Sequence, residues 1–354
     1  MNPRLLRLIA KFSQEKIDAI LLSHPVNISY LLERESVDAW LLLTPDKCVY
    51  LTDFRYVEEM KGRLSREISL YQFKKDIFKP IYRLCRRMGI KNLGVESRGI
   101  LLLDYEKLKA ALGKEVRLKP THNLVETLRQ IKEPAEIEKL RQAVALTAQA
   151  FDYLKTIIQP GKSEKELALA LEDFVRRQGC RLSFKPIIAS GVNSSFPHAR
   201  ISDRKLKENE AITVDIGVDC DGYKSDLTRV FFLGRIPKLC RRIYRIAREA
   251  EEQAIKATSV GSTTFRLDSL ARNYIKRKGL GRFFGHSLGH GVGLEVHELP
   301  MVSWKSNVPL EKNMVFTLEP GIYLPARFGV RVEDMVLVRD KDCEVLSGFI
   351  HKSD

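Results

Sequence analysis

A glycine-rich stretch close to the end of the chain carries three of its seven histidines. It reads GHSLGHGVGLEVHE from Gly285 to Glu298 and contains His286, His290 and His297. Each glycine in a helix interior costs up to about 1 kcal/mol relative to alanine. His286 and His290 are four residues apart, but this composition argues against a helical metal pair. The stretch predicts a glycine-loosened strand or loop that brings imidazoles close to something small.

A segment before this stretch has the pattern of a hairpin that carries two aspartates. It reads AITVDIGVDCDGYKSDLTRVFF (211–232), with strand-like runs around the turn signal DCDG (219–222). A turn centred between the second and third residues of that signal places Asp215 directly opposite Asp226. Directly opposed side chains project from the same face of a sheet, with Cβ atoms ~5 Å apart.

A segment after the histidines repeats the arrangement with two glutamates. It reads TLEPGIYLPARFGVRVED (317–334). A loop centred on Ala326 places Glu319 opposite Glu333. Arg331, two residues before Glu333, shares that face and is expected to steady the negative charge.

Opposed carboxylates repel each other, and a bound cation is the simplest compensation. On its own, one such pair favours solvated acids on an open sheet face. Two pairs together with the histidine stretch favour a metal site. Four carboxylates and one imidazole suit two adjacent divalent ions better than a cysteine-rich structural zinc site. Ions ~3.5–4 Å apart activate water and polarise a carbonyl, so the residues predict a dinuclear metal hydrolase.

The elements that position these residues fall into two predicted domains. The length of 354 residues suits two domains. Residues 1–122 alternate strand-like and helical patterns, which is typical of an α/β domain. Residues 123–354 are predicted to form an α+β domain with its polar clusters on strands and loops. Helical patterns cover 3–15, 77–89, 102–112, 124–157, 163–178, 237–258 and 264–278, and strand patterns of the first domain cover 18–23, 39–53 and 92–97.

The composition is that of an ordinary globular chain with a basic balance. Hydrophobic residues make up 44% and charged residues 30%. There is no apolar run of bilayer length and no signal-peptide pattern, so we expect a cytoplasmic protein without a membrane partner. The net charge of +15 comes from basic residues spread among 45 acidic ones. Such mixing predicts solvated faces and no nucleic-acid partner.

The six cysteines are scattered, with neither C-x-x-C nor zinc-ligand spacing. In a chain of this length we expect them to be reduced thiols of a cytosolic protein. Cys220 lies in the predicted turn near the acids, but it is beyond the aspartate pair and is not expected to bind metal.

Five segments, taken in order, resemble the signature blocks of the pita-bread metallopeptidases, specifically of their prolidase and aminopeptidase P branch. They are ASGVNSSFPHA (189–199), VDIGVDCDGYKSDLTR (214–229), GHSLGHGVGLEVHE (285–298), LEPGIY (318–323) and VRVED (330–334). The resemblance covers nearly the whole chain. It implies an α+β pita-bread (creatinase/aminopeptidase-like) catalytic domain at 123–354 and a smaller α/β creatinase-like N-terminal domain at 1–122.

The resemblance also implies a role for each matching residue. The implied metal ligands are Asp215, Asp226, His290, Glu319 and Glu333. Asp226 and Glu333 would bridge the two ions. Glu319 is further implied as the proton shuttle, and His198 and His297 as groups that contact substrate and stabilise the tetrahedral intermediate. Arg331 would orient the carboxylates. His286 would have a supporting role, and Tyr323 would border the site.

The implied reaction is hydrolysis of the peptide bond before proline. A prolidase would cleave Xaa-Pro dipeptides, whereas an aminopeptidase P, the alternative, would release the first residue of longer Xaa-Pro peptides. A dipeptidase must neutralise a free carboxylate, for which Arg200 and Arg331 are candidates. Some relatives carry arginine just after the HE-x-P run, where this chain has Met301, and that difference favours longer substrates.

The implied cofactors are two divalent ions, Mn²⁺ or Co²⁺ by the hardness of the ligands, with Zn²⁺ and Fe²⁺ as alternatives. The implied assembly is a homodimer. A non-catalytic pita-bread protein that binds peptide or nucleic acid is a further alternative, and a metal-free hydrolase of the creatinase type is another. The presence of suitable residues at all five ligand positions argues against both.

Overall fold

The computed structural model describes residues 1–352, which form two compact units. The first unit is Met1–Arg129 and the second begins at Gln130, a few residues beyond the predicted boundary. The difference is a short helix that ends at Arg129. The Nη1 atom of Arg129 donates to Asn27 Oδ1 at 2.8 Å, which ties this helix to the first unit. No helix within the described residues is long and apolar enough to span a membrane.

The first unit contains one six-stranded sheet and is α/β, as predicted. Its helices are α1 (Pro3–Ile9), α2 (Phe12–Glu15), α3 (Pro25–Leu32), α4 (Phe54–Lys61), α5 (Phe78–Arg87), α6 (Leu102–Leu112) and α7 (Leu124–Arg129). Its strands are β1 (Ala19–Leu22), β2 (Ala39–Leu43), β3 (Cys48–Thr52), β4 (Ile68–Gln72), β5 (Asn92–Glu96) and β6 (Arg117–Thr121). The strand order is β4-β3-β2-β1-β5-β6. All four residues of the central strand β1 are buried, which explains its uninterrupted apolar sequence.

The sequence patterns missed two strands and two helices of this sheet unit. Strands β4 and β6 lie at the two edges of the sheet and are mostly half-exposed or exposed, so they lack an apolar run. Pro120 is tolerated in β6 because an edge strand can spare a backbone N–H. Helix α3 begins after amides that donate to Glu96 Oε2, from Ser23 at 2.7 Å and from His24 at 3.0 Å. Such a long-range cap leaves no local signal.

The second unit combines four long helices with small antiparallel sheets. Its helices are α8 (Pro134–Ile157), α9 (Glu164–Arg177), α10 (Lys238–Lys256) and α11 (Thr264–Arg277). Its first strands are β7 (Arg181–Leu182), β8 (Ile187–Ser190), β9 (Glu210–Ile216), β10 (Val218–Cys220), β11 (Tyr223–Lys224) and β12 (Leu227–Leu233). The later strands are β13 (Gly289–Gly291), β14 (Glu298–Val302), β15 (Val315–Leu318), β16 (Gly321–Leu324), β17 (Phe328–Arg331), β18 (Asp334–Val338) and β19 (Cys343–Val345).

The strands of this unit form four sheets. Their orders are β11-β10-β7, β12-β9-β8, β14-β13-β15-β18-β19 and β16-β17. A backbone bridge between Thr228 and Glu333 connects the edge of the β12 sheet to the start of β18. The acidic residues of the two predicted hairpins therefore meet across this bridge.

Two helix pairs repeat within the second unit, and their second helices are offset by 100 residues. Helices α9 and α11 both have 14 residues. Each follows a hydroxyl N-cap, Ser163 or Thr263, whose side chain accepts a hydrogen bond from the amide three residues on. Each cap is preceded by a glycine with a left-handed backbone, Gly161 at φ +88° and Gly261 at φ +85°. The α8–α9 and α10–α11 pairs cover separate hydrophobic clusters, so the unit is built from two related halves.

The first hairpin exists, but its predicted register is wrong by two residues. Strand β9 pairs with β12 so that Asp215 lies opposite Thr228 rather than opposite Asp226. The turn is centred one residue later than predicted, because Asp221 at φ 51° and Gly222 at φ 82° form its central pair. Positive φ at both central residues is the requirement of a type I′ turn. A two-residue shift keeps Asp226 on the same face as Asp215, so the chemical inference survives the error.

The second hairpin has the predicted register. Gly321 pairs with Arg331 in the β16–β17 ladder, and Leu318 pairs with Asp334 in the β15–β18 ladder. Both pairings belong to one continuous register, in which Glu319 faces Glu333 in the gap between the two ladders. The glutamates therefore lie where one sheet ends and the next begins.

The expectation that all six cysteines are reduced is wrong for two of them. Cys180 and Cys220 form a disulfide, with Cα atoms 5.4 Å apart. Strand β10 pairs with β7 so that Asp219 lies opposite Arg181, and the next step of this register brings the two cysteines face to face. Only the sheet pairing reveals this contact, since 40 residues separate the two in sequence. The other four cysteines are free, and three of them are buried.

Candidate metal centre

The five residues predicted to bind metal come together in the second unit. Each lies on or beside a different strand: Asp215 on β9, Asp226 just before β12, His290 on β13, Glu319 between β15 and β16, and Glu333 between β17 and β18. Four of them are less than 9% exposed, and Glu319, the exception, has an 18% exposed side chain. Their convergence is the arrangement that the two acidic hairpins and the histidine stretch predict.

Three overlapping groups within this cluster have the spacing of a metal site. The groups are Asp215, Asp226 and Glu333; His290, Glu319 and Glu333; and Asp226, His290 and His297. Within each group, the potential ligand atoms lie within 4.8 Å of one another. The Nε2 atom of His290 is 3.5 Å from Asp226 Oδ2 and 3.4 Å from Glu319 Oε1. Asp226, His290 and Glu333 each belong to two groups. Of these three, only the two carboxylates have a second oxygen with which to bridge two ions.

Burial and mutual repulsion make ionisation of the clustered carboxyl groups unfavourable. Burial first, and then the neighbouring negative charges, raise the pKa of Asp226, Glu319 and Glu333, the last to about 8. The guanidinium of Arg331 opposes this rise in pKa, and its Nη2 donates to Asp215 Oδ2 at 2.6 Å. One guanidinium leaves most of the charge of four carboxylates uncompensated. A divalent cation is the group that such a buried cluster fits.

Two further observations show that these residues fit a metal. Among the described residues, Asp215 Oδ1 is a buried oxygen that accepts no hydrogen bond. The Nδ1 atom of His290 lies 3.1 Å from the carbonyl oxygen of Gly291, which can only accept, so this nitrogen carries the proton. The lone pair of Nε2 therefore points at the carboxylates. Burial, followed by the nearby His297, lowers the pKa of His290 to about 3, so the ring is neutral and free to bind metal at neutral pH.

The histidine stretch is not a helix, as expected. Its residues Gly289–Gly291 form strand β13 between β14 and β15, with an irregular register between His290 and Gly291, and residues 292–297 are irregular. A Cβ atom on Gly289 would lie 1.9 Å from the carbonyl oxygen of Thr317, and one on Gly291 would lie 2.1 Å from that of Leu299. The glycines permit a close backbone approach that places His290 against the carboxylates.

Thr228, which the sequence patterns did not single out, forms a hydrogen bond to a predicted ligand. Its Oγ1 donates to Glu333 Oε2 at 2.7 Å and accepts from Arg331 Nε at 3.0 Å. The signal was present, because Thr228 follows Asp226 by two residues and so shares its face of the strand. Arg331 also donates from Nη1 to Tyr323 Oη at 2.8 Å, which explains why Tyr323 lies beside the cluster.

The three remaining predicted histidines line a cleft of about 650 Å³ together with the five cluster residues. His198 and His297 are exposed, and the ring of His297 is 4.2 Å from that of His290 between centroids. His286 is half-buried and lies 3.1 Å from Tyr323 Oη through Nε2 and 3.9 Å from Glu319 Oε2 through Nδ1. Burial, followed by the charge of Arg331, lowers the pKa of His286 to about 4, so it is neutral.

The buried glutamate predicts that the metal-free protein loses stability as the pH rises from 6.5 to 8. Folding raises the pKa of Glu333 to about 8, so the folded state keeps a proton that the unfolded chain has released. His286 and His290, with pKa values lowered to about 4 and about 3, make stability rise with pH only below about 6.5. We expect Glu333 to account for a loss of roughly 1–2 kcal/mol in unfolding free energy across this window.

Urea unfolding of chelator-treated protein at pH 6.5 and 8.0 measures this loss. Glu333→Gln is the matched control and should show a smaller loss, because it removes one titrating carboxyl and the charge that raises the pKa of Asp226 and Glu319. Glu251, whose pKa burial also raises to about 8, is present in both proteins and cancels in the comparison. Identical pH dependence in the two proteins would contradict the assignment.

Comparison with known proteins identifies the family. Residues 138–340 match metallopeptidase family M24, and residues 4–131 match the creatinase/prolidase N-terminal domain. An Xaa-Pro dipeptidase of Pyrococcus horikoshii is 34% identical over 340 residues, which cover 96% of this chain and 95% of that protein.

Solved structures give the same result. An Xaa-Pro dipeptidase from Bacillus anthracis has a TM-score of 0.95 at 35% identity and covers 99% of this chain and 98% of its own. An X-Pro aminopeptidase from Thermotoga maritima has a TM-score of 0.89 at 33% identity, with 99% of both chains covered. These matches confirm the predicted pita-bread domain with its creatinase-like N-terminal domain. This chain therefore belongs to metallopeptidase family M24 and is a peptidase that depends on divalent metal ions.

Proposed function

We propose that this chain is a prolidase, which hydrolyses Xaa-Pro dipeptides with two divalent metal ions. The observation that carries the proposal is the buried cluster in which two carboxylates, Asp226 and Glu333, and one imidazole, His290, are each shared between groups of metal-ligand spacing. The names of the similar proteins, Xaa-Pro dipeptidase and X-Pro aminopeptidase, support the choice of substrate.

The metal ligands in this proposal are five residues of the cluster. They are Asp215, Asp226, His290, Glu319 and Glu333. Two divalent ions bound there would supply a Lewis acid for the scissile carbonyl and would lower the pKa of water. Because four of the five ligands are carboxylates, Mn²⁺ or Co²⁺ is the proposed native metal, with Zn²⁺ and Fe²⁺ as alternatives.

Glu319 is the proposed proton shuttle. Its side chain is 18% exposed, compared with 6% for Asp226 and 10% for Asp215, so it borders the cleft where water enters. As the water oxygen bonds to the carbonyl carbon, its proton passes to Glu319. The same proton then passes to the proline nitrogen as the C–N bond breaks.

His198 and His297 are proposed to stabilise the charge that develops on the carbonyl oxygen. Both are exposed side chains of the cleft wall, within reach of a substrate above the cluster. Partial desolvation by the cleft wall lowers the pKa of His297, so its ring is neutral and can donate an N–H. A proline imide has no N–H, and attack by a metal-activated water does not require one.

The structure narrows the choice of residue that binds the substrate carboxylate. Arg331 already donates four of its five N–H groups, to Asp215, Thr228, Tyr323 and the carbonyl oxygen of Pro197, and its side chain is only 4% exposed, so it is poorly placed to bind a substrate. Arg200 is exposed and lines the cleft. We infer that Arg200 binds the free carboxylate of a dipeptide.

Aminopeptidase P activity is the second candidate, and one specific observation favours it. Met301 lines the cleft and is 42% exposed, which gives an apolar wall where a longer peptide could pass. A non-catalytic binding protein is disfavoured, since such a protein would have no need for a buried cluster of mutually repelling acids. From the resemblance we also propose a cytoplasmic homodimer, and no nucleic-acid partner.

Asp226→Asn is expected to release at least one ion per chain and to lower kcat by a factor of about 1,000 or more, because a bridging carboxylate is lost. The matched control is Asp221→Asn, at an exposed turn position with φ 51° that asparagine tolerates. Metal content by plasma mass spectrometry and hydrolysis of Ala-Pro are measured on the same samples. Full metal content with retained turnover in Asp226→Asn would overturn the ligand assignment.

Arg200→Met is expected to raise the KM for Ala-Pro by ~10–100-fold, since a charge-assisted hydrogen bond is worth ~1.5–3 kcal/mol. Ala-Pro amide, which lacks the carboxylate, is the matched control substrate and should be cleaved equally by both proteins. If the native protein cleaves Ala-Pro-Ala as efficiently as Ala-Pro and Arg200→Met affects both alike, aminopeptidase P is the correct activity.

A further inference from the structure

Arg272, on helix α11, makes an unusually complete set of contacts just outside the cleft. Its Nε donates to Asp268 Oδ2 and its Nη2 to Asp268 Oδ1, both at 2.8 Å. The guanidinium lies between two rings, 4.3 Å from the centroid of Phe284 and 4.2 Å from that of Trp304. Neither Arg272 nor Asp268 has a place in the ligand set or in the proposed chemistry.

The contacts of this pair converge on the backbone of residues 284–288. Arg272 donates from Nη1 to the carbonyl oxygen of Phe284 at 2.9 Å and from Nη2 to that of His286 at 2.7 Å. Asp268 Oδ1 accepts from the amide of Leu288 at 3.1 Å. One side-chain pair therefore binds the backbone of the segment that carries His286 at every second residue, at positions 284, 286 and 288.

The held segment leads directly to the cluster. The amide of Glu319 donates to the carbonyl oxygen of Leu288 at 2.7 Å. The Nδ1 atom of His286 lies 2.8 Å from the carbonyl oxygen of Ser287, which can only accept, so Nε2 accepts from Tyr323 Oη at 3.1 Å. Because Tyr323 Oη in turn accepts from Arg331, a shift of the His286 backbone would disturb a chain of contacts that ends at Asp215.

An ion pair on a helix could simply stabilise that helix, and the internal repeat tests this explanation. Helix α9 corresponds to α11 at an offset of 100 residues, and the equivalent positions are Ala168 and Glu172. Ala168 cannot form an ion pair, and Glu172 pairs with Arg176 on the surface at 2.7 Å. The α8–α9 pair therefore packs without a counterpart of the Arg272–Asp268 ion pair. That ion pair lies in the half of the unit that carries the histidine stretch.

We propose that Arg272 is a positioning residue that fixes the His286 imidazole relative to Glu319 and Tyr323. The assignment of a catalytic consequence rests on the proposed peptidase function. The planar guanidinium satisfies Asp268 and two carbonyl oxygens at once while it stacks between two rings. Lysine keeps the charge but cannot reproduce that geometry, so Arg272→Lys is a sharp test.

The experiment compares Arg272→Lys with Arg176→Lys, which changes an exposed arginine of the equivalent helix. We expect kcat for Ala-Pro to fall at least tenfold in Arg272→Lys, with KM and metal content within about threefold of the native values. Amide hydrogen exchange in peptide 284–290 should accelerate at least tenfold, whereas Arg176→Lys should leave kcat and this exchange unchanged. Trp304→Ala, which removes one ring of the stack, should act in the same direction if Arg272→Lys fails to fold.

A double-mutant cycle separates positioning of His286 from a general loss of structure. In a His286→Ala background, Arg272→Lys should cause less than half of the loss in log kcat that it causes in the native protein. A loss of equal size in both backgrounds, or unchanged exchange in peptide 284–290, would overturn the proposal. The exchange measurement needs no substrate. If the native protein cleaves no Xaa-Pro substrate, the proposed function is wrong. The exchange measurement on peptide 284–290 still tests whether Arg272 positions this segment.

Discussion

The second unit depends on keeping four carboxylates together in a place where they repel one another. Asp215, Asp226 and Glu333 are almost fully buried, and Glu319 is largely so. Desolvation and like charge both oppose ionisation here, as the raised pKa values of three of the four acids show. A bound cation would offset the unfavourable free energy of these clustered charges, and membership of a metallopeptidase family agrees with that inference.

The scaffold holds the acids by backbone pairing rather than by side-chain flexibility. The bridge between Thr228 and Glu333 joins two sheets, and the continuous register from β15–β18 to β16–β17 sets Glu319 against Glu333. Each half of the unit supports its strands with one helix pair over its own hydrophobic cluster. The half that carries the histidines has in addition the Arg272–Asp268 pair, which binds the backbone beside His286. Rigidity of this kind keeps ligands in place before any ion arrives.

Much of the site could be predicted from the sequence, because hairpin patterns and residue types are local. The pairing of Glu319 with Glu333 was correct, since the loop around Ala326 is symmetric about that residue. The pairing of Asp215 was displaced by two, because two adjacent residues in the cluster DCDG could each begin a turn and only the backbone angles of Asp221 and Gly222 select between them. The disulfide of Cys180 and the edge strands were missed, because they depend on pairings between distant segments, which no local pattern reports.

The acidic cluster is proposed to hold two ions bridged by Asp226 and Glu333. Anomalous diffraction from crystals grown with Mn²⁺ would locate such ions without relying on activity. We predict two anomalous peaks in the cleft, ~3.5–4 Å apart, with oxygens of Asp226 and Glu333 contacting both. A cleft without such peaks, or manganese bound away from these carboxylates, would contradict the claim.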